Sequence, residues 1–103
     1  MLYTIRNSQL QVTASAAGAE LMSIQTADGT EYLWQGDPKY WSDRSPNIFP
    51  YVARLTNGQY TYQGKTYHLP IHGFAPTAPF TVTAAEEDSV TFTLESNPEY
   101  YEM

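Results

Sequence analysis

The 103-residue sequence has no cysteine, which excludes a disulfide framework and a thiolate zinc site. Cations are scarce. Five Lys and Arg stand against eleven Asp and Glu, a formal net charge of −6, and no basic run occurs. Nucleic acid and anionic membrane surfaces both require clustered Lys and Arg, so neither is expected as a partner. No apolar stretch is long enough to span a bilayer, and Met1-Leu2-Tyr3-Thr4-Ile5-Arg6 lacks the apolar core of a secretion signal. These features lead us to expect a soluble, cytoplasmic protein. Long amphipathic helical patterns, internal repeats and low-complexity tracts are also missing. Without a G-x-S-x-G elbow or a Gly-rich phosphate loop, neither a hydrolase of that type nor a nucleotide site is supported.

What remains is a hydrophobic period of two, broken by turn residues. Leu2, Tyr3 and Ile5, then Leu10 and Val12 beyond Asn7-Ser8, predict an opening hairpin. Residues 18–26 predict a strand with Ala19, Leu21 and Ser23 on one face and Glu20, Met22 and Ile24 on the other. Asp28-Gly29 turns the chain, and Glu31 to Gln35 is expected to return as its partner. Asp37-Pro38 has the form of a cap and first position for one helical turn over Pro38 to Trp41. Pro46 and Pro50 exclude a central strand between them. Residues 59–62 and 65–69 flank Gln63-Gly64 as the clearest hairpin, and Pro70 to Pro79 is a loop. Residues 80–85 and 90–95 alternate around the charged turn Glu86-Glu87-Asp88-Ser89. Many short strands at this spacing predict an all-β antiparallel sandwich.

Length bounds the chain to one domain or part of one, able to bury about 60–70% of its unfolded surface but with little left for a deep pocket. The closing run Asn97-Pro98-Glu99-Tyr100-Tyr101-Glu102-Met103 carries two Tyr and a Met where a complete domain usually places polar, frayed residues. The expectation is that residues 1–103 form the N-terminal portion of one larger sandwich domain, with exposed strand edges prone to self-association.

Few residues offer chemistry. His68 falls in a predicted strand, where a cross-strand role is ordinary. His72 precedes Gly73 in a loop, which suits either ligand binding or a plain turn. Both histidines together would need a further ligand to hold a metal, and Pro70 between them excludes a shared helical face, so no metal site is expected. Arg54 lies in the apolar run Tyr51-Val52-Ala53-Arg54-Leu55. It must be paired, point into a polar cleft, or send its head to solvent over a packed stem. Trp34 and Trp41 suit packing or a sugar platform. The carboxylates form no evident acid–base pair.

Taken in order, several segments resemble the galactose mutarotase, or aldose 1-epimerase, family, and most closely its bacterial mutarotase-related branch. The carriers are residues 18–24, Asp28-Gly29-Thr30-Glu31-Tyr32-Leu33-Trp34-Gln35-Gly36-Asp37, Pro38-Lys39-Tyr40-Trp41, Pro46-Asn47-Ile48-Phe49-Pro50, Val52-Ala53-Arg54-Leu55, and the stretch from Asn57 to Phe74 ending in Ile71-His72-Gly73-Phe74. Each is weak alone; the ordered series is specific and runs over nearly the whole chain. The resemblance implies a sandwich with a hexose cleft across one sheet. Arg54 and His72 would be sugar-binding residues, with Trp41 and Phe74 as rim candidates. It implies interconversion of the α and β anomers of a free aldose by a Glu base and a second His acid, both in later segments of the family. This chain would therefore contain no catalytic residue and be inactive alone, and the reading calls for no cofactor. The alternatives are a non-catalytic carbohydrate-binding module and a piece that functions only when another chain supplies the missing strands. One departure stands out: the branch follows His-Gly-Phe with Ala and Arg, whereas this chain has Ala75-Pro76, a rigid apolar residue in place of a cation.

Overall fold

The structure, a computed structural model, describes residues 1–101 and 103. Seven short strands dominate it. Strands β1 (Leu2–Arg6), β2 (Leu10–Ser15) and β3 (Glu20–Thr26) form one antiparallel sheet in that order. Strands β4 (Gln59–Tyr62) and β5 (Lys65–His68) pair as a hairpin, as do β6 (Thr81–Ala85) and β7 (Val90–Thr93). The first sheet meets the last hairpin through the Tyr3 ring, edge-on to Phe92 at 5.7 Å, and through the Arg6 N–H, which donates to the Glu87 carbonyl at 2.8 Å.

The hairpins follow from turn chemistry. Gln63 and Gly64 both take left-handed φ, 50° and 79°, as the two-residue turn between β4 and β5 demands. His68 pairs across this hairpin with Gln59, the cross-strand place expected for it. Asp37 caps one turn of chain as anticipated: its carboxylate accepts from Lys39 N–H at 3.0 Å, and its carbonyl from Trp41 N–H at 2.9 Å.

Two expectations fail. The strict alternation in β3 is broken by a bulge: Thr13 pairs with Ser23 but Ala14 with Leu21, leaving Met22 as the extra residue. The bulge puts Leu21 and Ile24 on one face with Tyr3, Ile5, Val12 and Ala14, while Ser23 joins Thr13 and Thr4 opposite. An amphipathic sheet is thus recovered from a strand whose own sequence does not alternate strictly. Second, Glu31 to Gln35 does not return as a strand. Its ladder is one bridge, Gln25 to Glu31, and the Glu31 side chain takes over. That carboxylate accepts from the Ser23 hydroxyl, from Ile24 N–H at 2.8 Å, from Leu33 N–H at 3.0 Å and from the Gln25 amide at 3.3 Å. A side chain that satisfies the backbone donors removes the need for a ladder.

The rest of the β3 edge is covered in the same manner. The Arg44 guanidinium donates to Met22 carbonyl at 2.6 Å and to Gln35 at 2.9 Å, and the Ser45 hydroxyl donates to Leu21 carbonyl at 2.8 Å. Glu20 returns the tie, accepting from the N–H groups of Arg44 and Ser45, each at 3.1 Å.

Glu31 makes the fold acid-sensitive. The Ser23 hydroxyl foremost, then the Ile24 N–H, hold its carboxyl down at about 2, from an ordinary 4.5. The folded value lies below the unfolded one. The stabilisation is therefore complete above pH 4.5 and is lost as pH falls toward 2. Asp28, lowered chiefly by the Thr26 hydroxyl, acts in the same sense. In urea titrations Glu31→Gln should unfold earlier than the parent at neutral pH, with the gap closing as pH falls through that window. Parallel curves down to pH 2 would remove Glu31 from this role.

The molecule is flat, 56 × 34 × 17 Å, with a radius of gyration of 16.5 Å. A compact chain of this length has about 13 Å. Among the described residues the buried apolar side chains are Ala14, Leu69, Ala75 and Ala78, all but one of them small. Three of these, Leu69, Ala75 and Ala78, lie in or beside the 70–79 loop, so burial is concentrated where that loop is anchored.

Candidate functional site

Two irregular segments lie side by side. Phe49 N–H donates to the His72 carbonyl at 3.1 Å and Ala75 N–H to the Phe49 carbonyl at 3.1 Å, on either side of a parallel bridge between Phe49 and Gly73. Further along, His72 N–H donates to the Ala53 carbonyl at 3.2 Å. The 49–53 backbone and the 72–75 backbone therefore form a short parallel clasp. Pro46 and Pro50 cannot donate a backbone hydrogen bond, which keeps the first of these segments out of a regular ladder.

The clasp depends on Gly73. Its φ is 78°, and a Cβ there would sit 2.1 Å from the Phe49 carbonyl oxygen and 2.5 Å from Pro50 Cδ. His72 before it is also left-handed, with φ 64°. Histidine visits that region more readily than most residues, though at a cost that the surrounding bonds must offset. The clasp is fastened to the first sheet at Gly18. Asn47 Nδ2 donates to the Gly18 and Ala19 carbonyls at 2.9 and 2.8 Å, and Gly18 N–H donates to Ala78 carbonyl at 2.8 Å.

His72 is half-buried, and its Nδ1 lies 2.5 Å from the Val52 carbonyl. Arg54 follows two residues after that carbonyl, in a segment with no strand structure. It is exposed and has no hydrogen bond or ion pair among the described residues. The clasp thus ties His72 to the two residues before Arg54, whose own side chain is in solvent.

The two rim candidates are placed differently. Trp41 is half exposed, and its carbonyl accepts from Trp34 Nε1 at 2.8 Å; the Trp34 ring meets Tyr40 edge-on at 6.3 Å. No hydrogen bond or ring contact among the described residues joins Trp41 to Arg54 or His72. Phe74 sits between two rings, stacked on Tyr100 at 4.1 Å and edge-on to Phe49 at 5.9 Å. With Leu94, Glu95 and Ser96 these rings line an apolar cleft of about 250 Å³ that neither Arg54 nor His72 borders. Tyr100 belongs to a one-turn helix, α1 (Pro98–Tyr101), in the segment that sequence reasoning left without structure. Pro76 lies in a 3₁₀ turn over Ala75–Thr77, and a Cβ on Gly18 would stand 2.4 Å from its carbonyl oxygen. Pro76 therefore packs its backbone against the β2–β3 turn.

Sequence reasoning did not single out Asn47, Glu20 and Arg44, which hold the clasp and the sheet edge. Their partners on the first sheet and its turn are 22 to 29 residues away, so no local pattern marks them.

An antiparallel β architecture whose irregular segments are clasped at a sheet's flank places the chain among the sandwich-type proteins. The chain belongs to the aldose 1-epimerase family, whose sequence profile matches residues 1–102. It is 36% identical over 104 residues to the plasmid-borne protein LacX of Lactococcus lactis subsp. lactis, covering 96% of this chain and 35% of that protein. The galactose mutarotase related enzyme from Lactobacillus acidophilus superposes with a TM-score of 0.95 at 45% identity, over 99% of this chain and 34% of that one. The galactose mutarotase-like protein from Lactobacillus casei ATCC 334 gives a TM-score of 0.94 at 36% identity, over 99% of this chain and 35% of that one. The fold is therefore the galactose mutarotase-like sandwich, and the chain spans roughly a third of the length of these relatives. No helix among the described residues is long and apolar enough to cross a membrane.

Proposed function

We propose that residues 1–103 are the N-terminal portion of one mutarotase-like domain and supply half of a hexose site, with Arg54 and His72 as sugar-binding residues. The observation that supports the reading is the clasp: Phe49–Gly73 pairing and the Ala53–His72 bond hold His72 against the residue that precedes Arg54. Arg54 offers only donors to a sugar oxygen, while His72 offers a ring nitrogen. Membership of a family named for aldose 1-epimerase supports a free aldose as ligand.

Anomer exchange needs a base for the anomeric hydroxyl and an acid for the ring oxygen, each within hydrogen-bond reach. Several carboxylates of this chain are committed elsewhere. Glu31 and Glu20 hold the β3 edge, and Asp28 caps its own turn. The proton-transfer groups are assigned to the remainder of the family domain. The chain alone binds sugar weakly and does not turn it over.

Polarimetry on freshly dissolved α-glucose and α-galactose tests this. The expected rate is the uncatalysed background, with weak sugar binding by NMR that falls about tenfold in Arg54→Ala or His72→Ala. An acceleration abolished by His72→Ala would place the acid and base within this chain or across an interface between copies. A non-catalytic carbohydrate-binding module is the second reading, and the exposed Trp34, Tyr40 and Trp41 favour it.

A further inference from the structure

We infer that the Val52 carbonyl fixes His72 in the Nδ1–H tautomer, so that Nε2 is a bare acceptor aimed at a sugar hydroxyl. The second half rests on the sugar-site reading above; the first half does not.

A carbonyl oxygen only accepts, so the imidazole nitrogen lying 2.5 Å from Val52 O must carry the hydrogen. In a neutral ring the other nitrogen is then unprotonated. Free histidine in water favours the opposite tautomer, so the choice here is imposed by the fold. It is imposed twice over. The same residue's N–H donates to the next carbonyl, that of Ala53, at 3.2 Å, which fixes where the ring's Cβ stands. Rotating the ring by half a turn would put a carbon against the Val52 oxygen and leave that carbonyl without its partner. The left-handed φ of 64° at His72 and the tight packing of Gly73 on Phe49 hold the backbone in the one conformation that allows both bonds.

The chemical consequence is a division of labour. Arg54 can only donate; His72 in this tautomer can only accept through Nε2. A hydroxyl can donate to Nε2, whereas an ether oxygen or a fluorine has no hydrogen to give His72.

The test is a long-range ¹H–¹⁵N correlation spectrum of the labelled chain at mildly alkaline pH. The chain has two histidines, and His68→Ala assigns them. The expected His72 pattern is a protonated-type Nδ1 with an unprotonated-type Nε2. An Nε2–H pattern, or two averaged nitrogens, would overturn the inference whatever the sugar does. Adding D-galactose or D-glucose should then move the Nε2 resonance and leave Nδ1 in place. Sugar binding with Nε2 unmoved would overturn the acceptor role while leaving the sugar site intact. Binding of neither sugar would sink the sugar-site reading and the acceptor role together, leaving the tautomer to the first spectrum. His72→Asn is the companion variant. Asn tolerates a left-handed φ, and its amide can still donate to Val52, so the fold is kept while the acceptor is lost. Amide dispersion should be retained and sugar affinity should drop about tenfold. Affinity equal to the parent's would exclude Nε2 as the acceptor.

Discussion

Gly73→Ala should be the most damaging single-methyl change in this chain, costing about 3 kcal/mol or more and releasing the 49–53 segment from the 72–75 segment. Two independent penalties meet at this residue. A φ of 78° is unfavourable for any residue with a Cβ, and that Cβ would lie 2.1 Å from a backbone oxygen that the clasp itself uses. Flexible side chains can step aside; the Phe49 carbonyl cannot, because it accepts the Ala75 N–H. Gly64→Ala and Gly29→Ala separate the two penalties. Both positions have left-handed φ, 79° and 85°, but nothing within 4 Å of the added atom. They should cost about 1 kcal/mol, the conformational part alone. Denaturant unfolding of the three variants, read with the His72 ring signals, gives the comparison. Equal losses at all three glycines would mean that the clasp yields and is not the rigid element described.

The isolated chain should associate with itself at about micromolar to millimolar concentration, forming dimers or larger species. Its accessible surface is 7333 Å². A compact protein of its mass exposes about 5,800 Å². The excess, about a quarter, is of the order that stable interfaces bury. It is also apolar. Phe49, Val52, Tyr32, Tyr40, Tyr62 and Tyr101 are all exposed, and the Phe74–Tyr100 cleft opens to solvent. The net charge of −6 opposes association at low ionic strength. Sedimentation velocity should therefore show the larger species growing with protein concentration and with added salt, most strongly with sulfate. A monomer at all concentrations and salts would mean that the exposed apolar surface is not sticky as presented.

The parts of the fold carried by local signals were legible in the sequence. Gln63-Gly64 demanded two left-handed residues and received them. Asp37-Pro38 supplied a cap and a first helical position. The charged turn at 86–89 closed a hairpin. The apolar rows of β1 and β2 fell on the face that alternation gives them. Failures occurred where a side chain replaced a backbone partner. Tyr32, Leu33 and Trp34 read as strand residues, but the Glu31 carboxylate satisfies the donors that a ladder would have used. The bulge at Met22 shifted the facing of β3, and nothing in its neighbours announces it. Within the candidate site, Arg54 and His72 were singled out by resemblance. The clasp that ties His72 to the 49–53 segment is fastened to the first sheet by Asn47, which reaches Gly18 and Ala19 across 29 and 28 residues. Such pairings have no period.

The way the β3 edge is closed gives the first sheet a direction. On that side Arg44, Ser45 and Glu31 occupy backbone groups of the strand, so accretion there would first have to displace several side chains. At the far side, beyond β1, the bond recorded among the described residues is that of the Arg6 N–H, at the strand's last residue. A further strand, whether from the same polypeptide or another, therefore meets a stopped end and an open one. The sheet behaves as a zip with a fixed stop at β3, able to lengthen past β1 alone.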